Sequence, residues 1–434
     1  MADPCIFWRI NVKDREDTFI FVHVDDLVII SKKPLVFKAE MEKEFKIKYM
    51  GDTVFLLGMN IERTDTSLSI NQTQYIERKL AEFNLEELYP ASCPLDPKNY
   101  LIKSNQREVC EFKKLGVNYW ALVGALNYLS VLTRPNIAYP VSTLSQFLEN
   151  PGMKHYHSAV QVFRYLSATK DIGLTFHRDN SSYGGIKSFV DANWGNCPDT
   201  RRLATGFVVL AGQHLVTWKA TKQTTVSLPT TKAEYKAILD LGQELAWLAN
   251  LLDEIQMKAA KETFKVFADN RGAIDLAHSE MSQNSFCTKH MAIKLHFTRE
   301  LITTGLIELK YIKTTYNAAD FLTKPTGRTT IRRSLQAVNL IPPSKPASTL
   351  LTRSTAGCWN DQNGAQPKRQ KGLDPSPQNQ ARRDSALSTS NKKKSNQRNQ
   401  SISSKSQLRN RITRDHTLDN IGVQTLLTRI TDCP

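Results

Sequence analysis

IKSFVD, residues 186–191, carries Ile, Phe and Val in a short run and stops on an acid. Ile, Phe and Val favour a strand, and an Asp directly after them belongs at its end, because strands are depleted in Asp. Two more β-rich runs follow, Ala204–Leu210 and Leu215–Ala220, joined by Ala211-Gly212-Gln213-His214. Thr231–Ile255 then places Ile238, Leu241, Leu245, Leu248, Leu252 and Ile255 at helical spacing, which predicts a long amphipathic helix. Phe264–Asp269 (FKVFAD) is a fourth strand ending on an acid, followed by a helix from Arg271. Lys289–Thr304 reads as helix, Leu306–Ile312 as strand, and Asn317–Thr323 as the start of a last helix. Three consecutive strands, then helix, strand, helices, strand and helix, predict a mixed sheet flanked by helices over residues 183–327.

The acids of this region fall at particular places. If the IKSFVD and FKVFAD strands are parallel neighbours, Asp191 and Asp269 lie side by side. Glu234 falls in the first turn of the long helix and Asp320 in the first turn of the last one, so four carboxylates converge at one edge of the sheet. Like charges at close range demand protons or cations. Hard divalent ions resolve the conflict, because Mg²⁺ and Mn²⁺ prefer oxygen ligands. Two such ions roughly 4 Å apart suit cleavage of a phosphodiester. Structural roles stand beside this reading. Thr231-Lys232-Ala233-Glu234 also fits a capping box, Asp269-Asn270 also fits a helix N-cap, and Asp320 also fits a first-turn acid complementing a helix dipole.

Working outward, residues 1–95 form a different region. TFIFVHVDDLVIIS (18–31) is a hairpin signal with Asp25-Asp26 between two apolar runs. A helix around Val36–Phe45, a strand pair at Thr53–Ile61 and Ser67–Asn71, and an amphipathic helix over Gln72–Phe83 complete it. Residues 96–182 read as an all-helical connector, with helices at Asn118–Leu132, Ile137–Leu148 and His155–Leu166. From Ile341 onward Ser, Asn, Gln, Lys, Arg and Pro dominate, which predicts a disordered basic tail over 341–434. That tail carries 16 Lys and Arg against 6 Asp, so it holds more than half of the net charge of +16. The overall charge therefore says little about what the folded part binds. Seven scattered cysteines without a CxxC pair argue against a zinc knuckle and a disulfide framework. No secretory signal or membrane-spanning stretch is visible, so the expected location is intracellular, cytoplasmic or nuclear, with no membrane partner.

Five motifs in order, FVDANW (189–194), LPTTKAEYKAI (228–238), FADNRGAI (267–274), CTKHMAIKLHFTRE (287–300) and ADFLTKP (319–325), closely resemble the ribonuclease H domain of copia-type retrotransposon Pol polyproteins. The resemblance places the family's catalytic and metal-binding set on Asp191, Glu234, Asp269 and Asp320. It implies hydrolysis of the RNA strand of an RNA–DNA hybrid with two Mg²⁺ or Mn²⁺ ions. Asn193 stands where family members often carry an acid. The loop Lys313–Asn317 lacks the mobile His of many ribonucleases H, and His290 is the nearest auxiliary candidate, with a structural role as its alternative.

NYWALVGALNYLSVLTRPNIAYPVSTLSQFL (118–148) resembles the connecting segment of the same polyprotein, and His23-Val24-Asp25-Asp26 its Tyr-Val-Asp-Asp hairpin. The resemblance thus makes residues 1–95 the palm and thumb end of a reverse transcriptase, with Asp25 and Asp26 as metal ligands. The family's upstream palm Asp and fingers lie far ahead of this hairpin, so no polymerase activity is expected from these residues alone. Other Pol or Gag products are implied as partners. A catalytically inactive, nucleic-acid-binding remnant is the alternative function.

Overall fold

The computed structural model describes residues 2–9, 17–98, 100–178, 184–193, 203–223, 230–279 and 289–341. The expected basic tail lies outside them from residue 342 on. Ile341, placed at the head of that tail by composition, is buried with Leu340 in the core, because an apolar pair closing a helical segment still finds surface to cover.

The chain begins with a three-stranded antiparallel sheet of β1 (Ile6–Arg9), β2 (Thr18–His23) and β3 (Asp26–Ile30) in that order. His23 pairs with Asp26, so Val24 and Asp25 alone make the turn. Val24 sits at φ +53°, a conformation that a β-branched residue adopts at a cost. Helix α1 (Pro34–Glu44) follows and has no buried residue. Strands β4 (Phe55–Leu56), β5 (Met59–Arg63) and β6 (Ser67–Asn71) then lead into α2 (Thr73–Glu82), which buries Ile76 and Leu80.

The next region is mostly helical: α3 (Gln106–Lys113), α4 (Tyr119–Leu132), α5 (Ala138–Leu144) and α6 (Met153–Ala168). Asn105 opens α3 with a reciprocal capping box to Glu108, and Asn118 caps α4 at Ala121 N–H. The segment is not all-helical as expected. Strand β7 (Leu174–His177) pairs antiparallel with β6 and completes a four-stranded sheet β4-β5-β6-β7. Four residues are too few to show a strand period, and the partner lies about a hundred positions away, so local pattern could not reveal it. Arg134, fully buried between α4 and α5, donates to Thr169 O at 2.9 Å, to Thr169 Oγ1 at 2.6 Å and to Asn136 Oδ1 at 3.2 Å. Burial lowers its pKa to about 10. Those bonds tie the end of α4 to the end of α6 ahead of β7.

The third region is the mixed sheet expected from the order of its strands and helices. Strands β8 (Ile186–Asn193), β9 (Ala204–Ala211) and β10 (His214–Lys222) form an antiparallel meander. Helix α7 (Thr230–Glu254) crosses it, and β11 (Phe264–Ala268), α8 (Arg271–His278), α9 (Lys289–Thr303), β12 (Ile307–Tyr311) and α10 (Arg328–Ala337) follow. The strand order is β10-β9-β8-β11-β12, with β11 parallel to both β8 and β12. The stripe of α7 that includes Leu241, Leu245, Leu248 and Leu252 is buried, each side chain contributing about 1.5–3 kcal/mol relative to exposure. The last helix does not begin at Asn317. Residues Asp320–Leu322 make one 3-10 turn, Pro325 follows closely, and α10 starts at Arg328. Trp218 on β10 donates its indole N–H to Ser130 O of α4 at 2.8 Å, and Trp247 on α7 donates to Ala2 O at 3.1 Å, so this sheet is tied to both earlier regions.

Candidate active site

The parallel pairing of β8 and β11 matches Val190 with Ala268. The next residue on each strand is Asp191 and Asp269, so both carboxylates emerge at the same level. Asp191 does not end its strand as expected. β8 continues to Asn193, with Asp191 paired to Gly206 of β9, because burial and ladder bonds outweigh the poor strand propensity of Asp.

Glu234 reaches the same point from the first turns of α7. Its Oε2 accepts the N–H of Ala192 at 3.0 Å, a strand contact that aims the carboxylate at Asp191. Buried Gln223 fixes the start of α7, donating to Thr205 Oγ1 at 2.9 Å and to Ala233 O at 3.1 Å. Asp269 is free of capping duty, because Asn270 is the N-cap of α8 and accepts from Ala273 N–H at 3.0 Å. One oxygen from each of Asp191, Glu234 and Asp269 lies within 4.8 Å of the other two.

Asp320 arrives on the 3-10 turn. The carbonyl of Val190 accepts from Asn317 Nδ2 at 2.9 Å, and Asn317 Oδ1 accepts Ala319 N–H at 3.1 Å, which pins this turn against β8. Gly206 makes room for it. A Cβ there would stand 2.6 Å from Leu322 Cβ and 2.8 Å from Thr323 Cγ2. Through this close approach the Thr323 hydroxyl donates to Asp191 Oδ2. Lys324 Nζ donates to Asp320 Oδ1 at 2.8 Å. Thr323 and Lys324 were not singled out in the sequence, although they follow Asp320 within the ADFLTKP motif.

The electrostatics reflect buried acids crowded around one ammonium, that of Lys324. Burial pushes the Asp191 carboxyl up to about 7, with Thr323 opposing and Asp320 and Asp269 adding to the rise. Glu234 is pushed to about 9 by burial and then by Asp191 and Asp269. Burial also raises Asp320, against the pull of Lys324. Burial alone would lower Lys324, yet its bond to Asp320 and the charges of Asp320, Asp191 and Asp269 raise it. An all-oxygen, anionic, partly buried donor set of this kind fits a hard divalent cation.

The other expected site residues stand elsewhere or lie outside what is described. Asp25 and Asp26 are exposed at the β2–β3 turn, and among the described residues they belong to no group of three potential metal ligands. His290 is on α9, but its side chain lies outside the described residues. Among the described residues no helix is long and apolar enough to cross a membrane.

The family model for "Reverse transcriptase (RNA-dependent DNA polymerase)" matches residues 3–97. The retrovirus-related Pol polyprotein from transposon TNT 1-94 of Nicotiana tabacum is 34% identical over 334 residues, covering 75% of this chain and 24% of that protein. Its counterpart from transposon RE1 of Arabidopsis thaliana is 29% identical over 349 residues, covering 79% and 23%. The chain thus spans about a quarter of the length of these relatives. Among solved structures, a foamy viral protease–reverse transcriptase in complex with double-stranded DNA aligns over 68% of this chain and 55% of its own, with 13% identity and a TM-score of 0.36. The LC11 ribonuclease H1 in complex with RNA/DNA hybrid aligns over 32% and 93%, with 13% identity and a TM-score of 0.24. Matched by the reverse transcriptase model at its start and by transposon Pol polyproteins over three quarters of its length, the chain belongs to the Pol polyproteins of copia-type retrotransposons.

Proposed function

We propose that residues 183–327 are a metal-dependent ribonuclease H that cuts the RNA strand of RNA–DNA hybrids, with Asp191, Glu234, Asp269 and Asp320 as its catalytic ligands. The observation that carries this reading is the meeting of Asp191, Glu234 and Asp269, with Asp320 beside them, at one end of the mixed sheet. Bound there, two Mg²⁺ or Mn²⁺ ions would supply an activated attacking water and charge stabilisation for the leaving oxygen.

The chain's own residues do the positioning. Adjacent parallel strands present Asp191 and Asp269 at one level, so the phosphodiester meets both. Thr323 and Ala192 N–H hold Asp191 and Glu234 in single orientations, which limits the reorganisation needed when charge develops. Asn270 rather than Asp269 caps α8, Glu234 accepts the Ala192 N–H, and one oxygen of each carboxylate lies in the shared cluster.

Substrate choice is tested with labelled RNA–DNA hybrid, double-stranded RNA and double-stranded DNA of one sequence, each in Mg²⁺, Mn²⁺ and EDTA. Cleavage confined to the RNA of the hybrid and abolished by EDTA is expected. Equal cutting of all three duplexes, or cutting in EDTA, would overturn the proposal. Binding to the hybrid without cleavage under any condition would instead support a nucleic-acid-binding remnant.

A further inference from the structure

Asp320 differs from the other three carboxylates in carrying an ammonium partner. The oxygens of Asp191, Glu234 and Asp269 cluster within 4.8 Å, while Asp320 Oδ1 takes a charge-assisted bond from Lys324 Nζ at 2.8 Å. The two side chains are only 31% and 13% exposed, so water screens the pair weakly. The pair is held from both sides. Asn317 pins the turn to β8, and Thr323, the residue before Lys324, is bonded to Asp191. Lys324 is therefore a cation built into an acidic cluster. Its ammonium and a divalent ion would compete for the charge of the same carboxylate.

We propose that in the metal-free protein Lys324 occupies the cation position at Asp320. The carboxylates of Asp191, Glu234 and Asp269 take one divalent ion first, and a second ion binds at Asp320 only by displacing the Lys324 ammonium. Lys324 is thus a positioning residue that sets the order and spread of ion affinities. The inference rests on the metal reading of the cluster given above.

The test is a titration of the full chain with Mn²⁺ alone, free ion being followed by electron paramagnetic resonance. The wild type is expected to bind one ion tightly and a second at least about tenfold more weakly. Lys324→Met should tighten the second ion about tenfold and leave the first little changed, and Lys324→Gln should do the same as a check against a local folding defect. Lys324→Arg should keep the wild-type isotherm. Adding Asp320→Asn to Lys324→Met should cancel the gain, which separates release of Asp320 from a general change in field.

An unchanged second-ion affinity in both neutral variants, or a gain that survives in the double variant, overturns the inference while leaving the metal reading intact. No Mn²⁺ binding by the wild type, matching an Asp269→Asn control, overturns the metal reading and the inference with it.

Discussion

Replacing Asp191 by Asn should make the metal-free protein more stable at alkaline pH while destroying its response to metal. Burial, aided by Asp320 and Asp269, raises the folded carboxyl from 3.8 to about 7. Between those values the folded state keeps a proton that the unfolded state has released. The folded state therefore binds more protons, and stability falls as pH rises from about 4 to about 7, staying low above. At about 1.4 kcal/mol per unit, the roughly three-unit difference sets a ceiling of about 4 kcal/mol. Relaxation around the buried charge reduces the expected gain from Asp191→Asn to about 2 kcal/mol, or about 5 °C in Tm for a domain of this size. Asn keeps the shape and still accepts the Thr323 hydroxyl. Thermal unfolding in EDTA at pH 4.5 and 8.5 measures the effect. The variant should gain about 5 °C over the wild type at pH 8.5 and well under half of that at pH 4.5. Adding Mg²⁺ at pH 8.5 should raise the wild type alone. A variant less stable than the wild type at pH 8.5, or a difference that does not vary with pH, would refute the reasoning.

Three further outcomes are expected. Gly206→Ala forces a Cβ to 2.6 Å from Leu322 Cβ; it should cost about 1–3 kcal/mol in urea unfolding and depress hybrid cleavage by displacing Thr323 and Asp320. Arg134→Ala removes three buried hydrogen bonds, two of them to Thr169; it should cost about 3 kcal/mol in urea unfolding while the protein that stays folded cleaves at the wild-type rate. Deleting residues 345–434 should leave both the unfolding midpoint and hybrid cleavage unchanged, because their Ser-, Asn-, Gln-, Lys- and Arg-rich composition offers little apolar surface to bury.

The central sheet was legible because its strands and its long helix are separate apolar segments whose periods differ. IKSFVD and FKVFAD also carried the site, since parallel pairing turns two strand ends into neighbours. Non-local features were not legible. β7 is defined by β6 and by little in Leu174–His177 itself, and β1 is a four-residue strand defined by its pairing with β2. The Asn317–Thr323 segment has the composition of a helix, but the Asn317 side chain ties it to β8 and its backbone closes only one 3-10 turn. The roles of Gly206 and Thr323 arise from that crossing, whereas Lys324 meets Asp320 four residues before it. Glu234 and Asp269 each had a capping alternative in sequence. The structure gives the cap of α8 to Asn270 and turns Glu234 toward Ala192.

The most direct measurement is cleavage of an end-labelled RNA strand in an RNA–DNA hybrid by the full chain in Mg²⁺ or Mn²⁺, beside an Asp269→Asn variant shown by circular dichroism to be folded. The account predicts internal cuts by the wild type, and none above background by the variant. Equal cutting by the two proteins, or none by either, would contradict it.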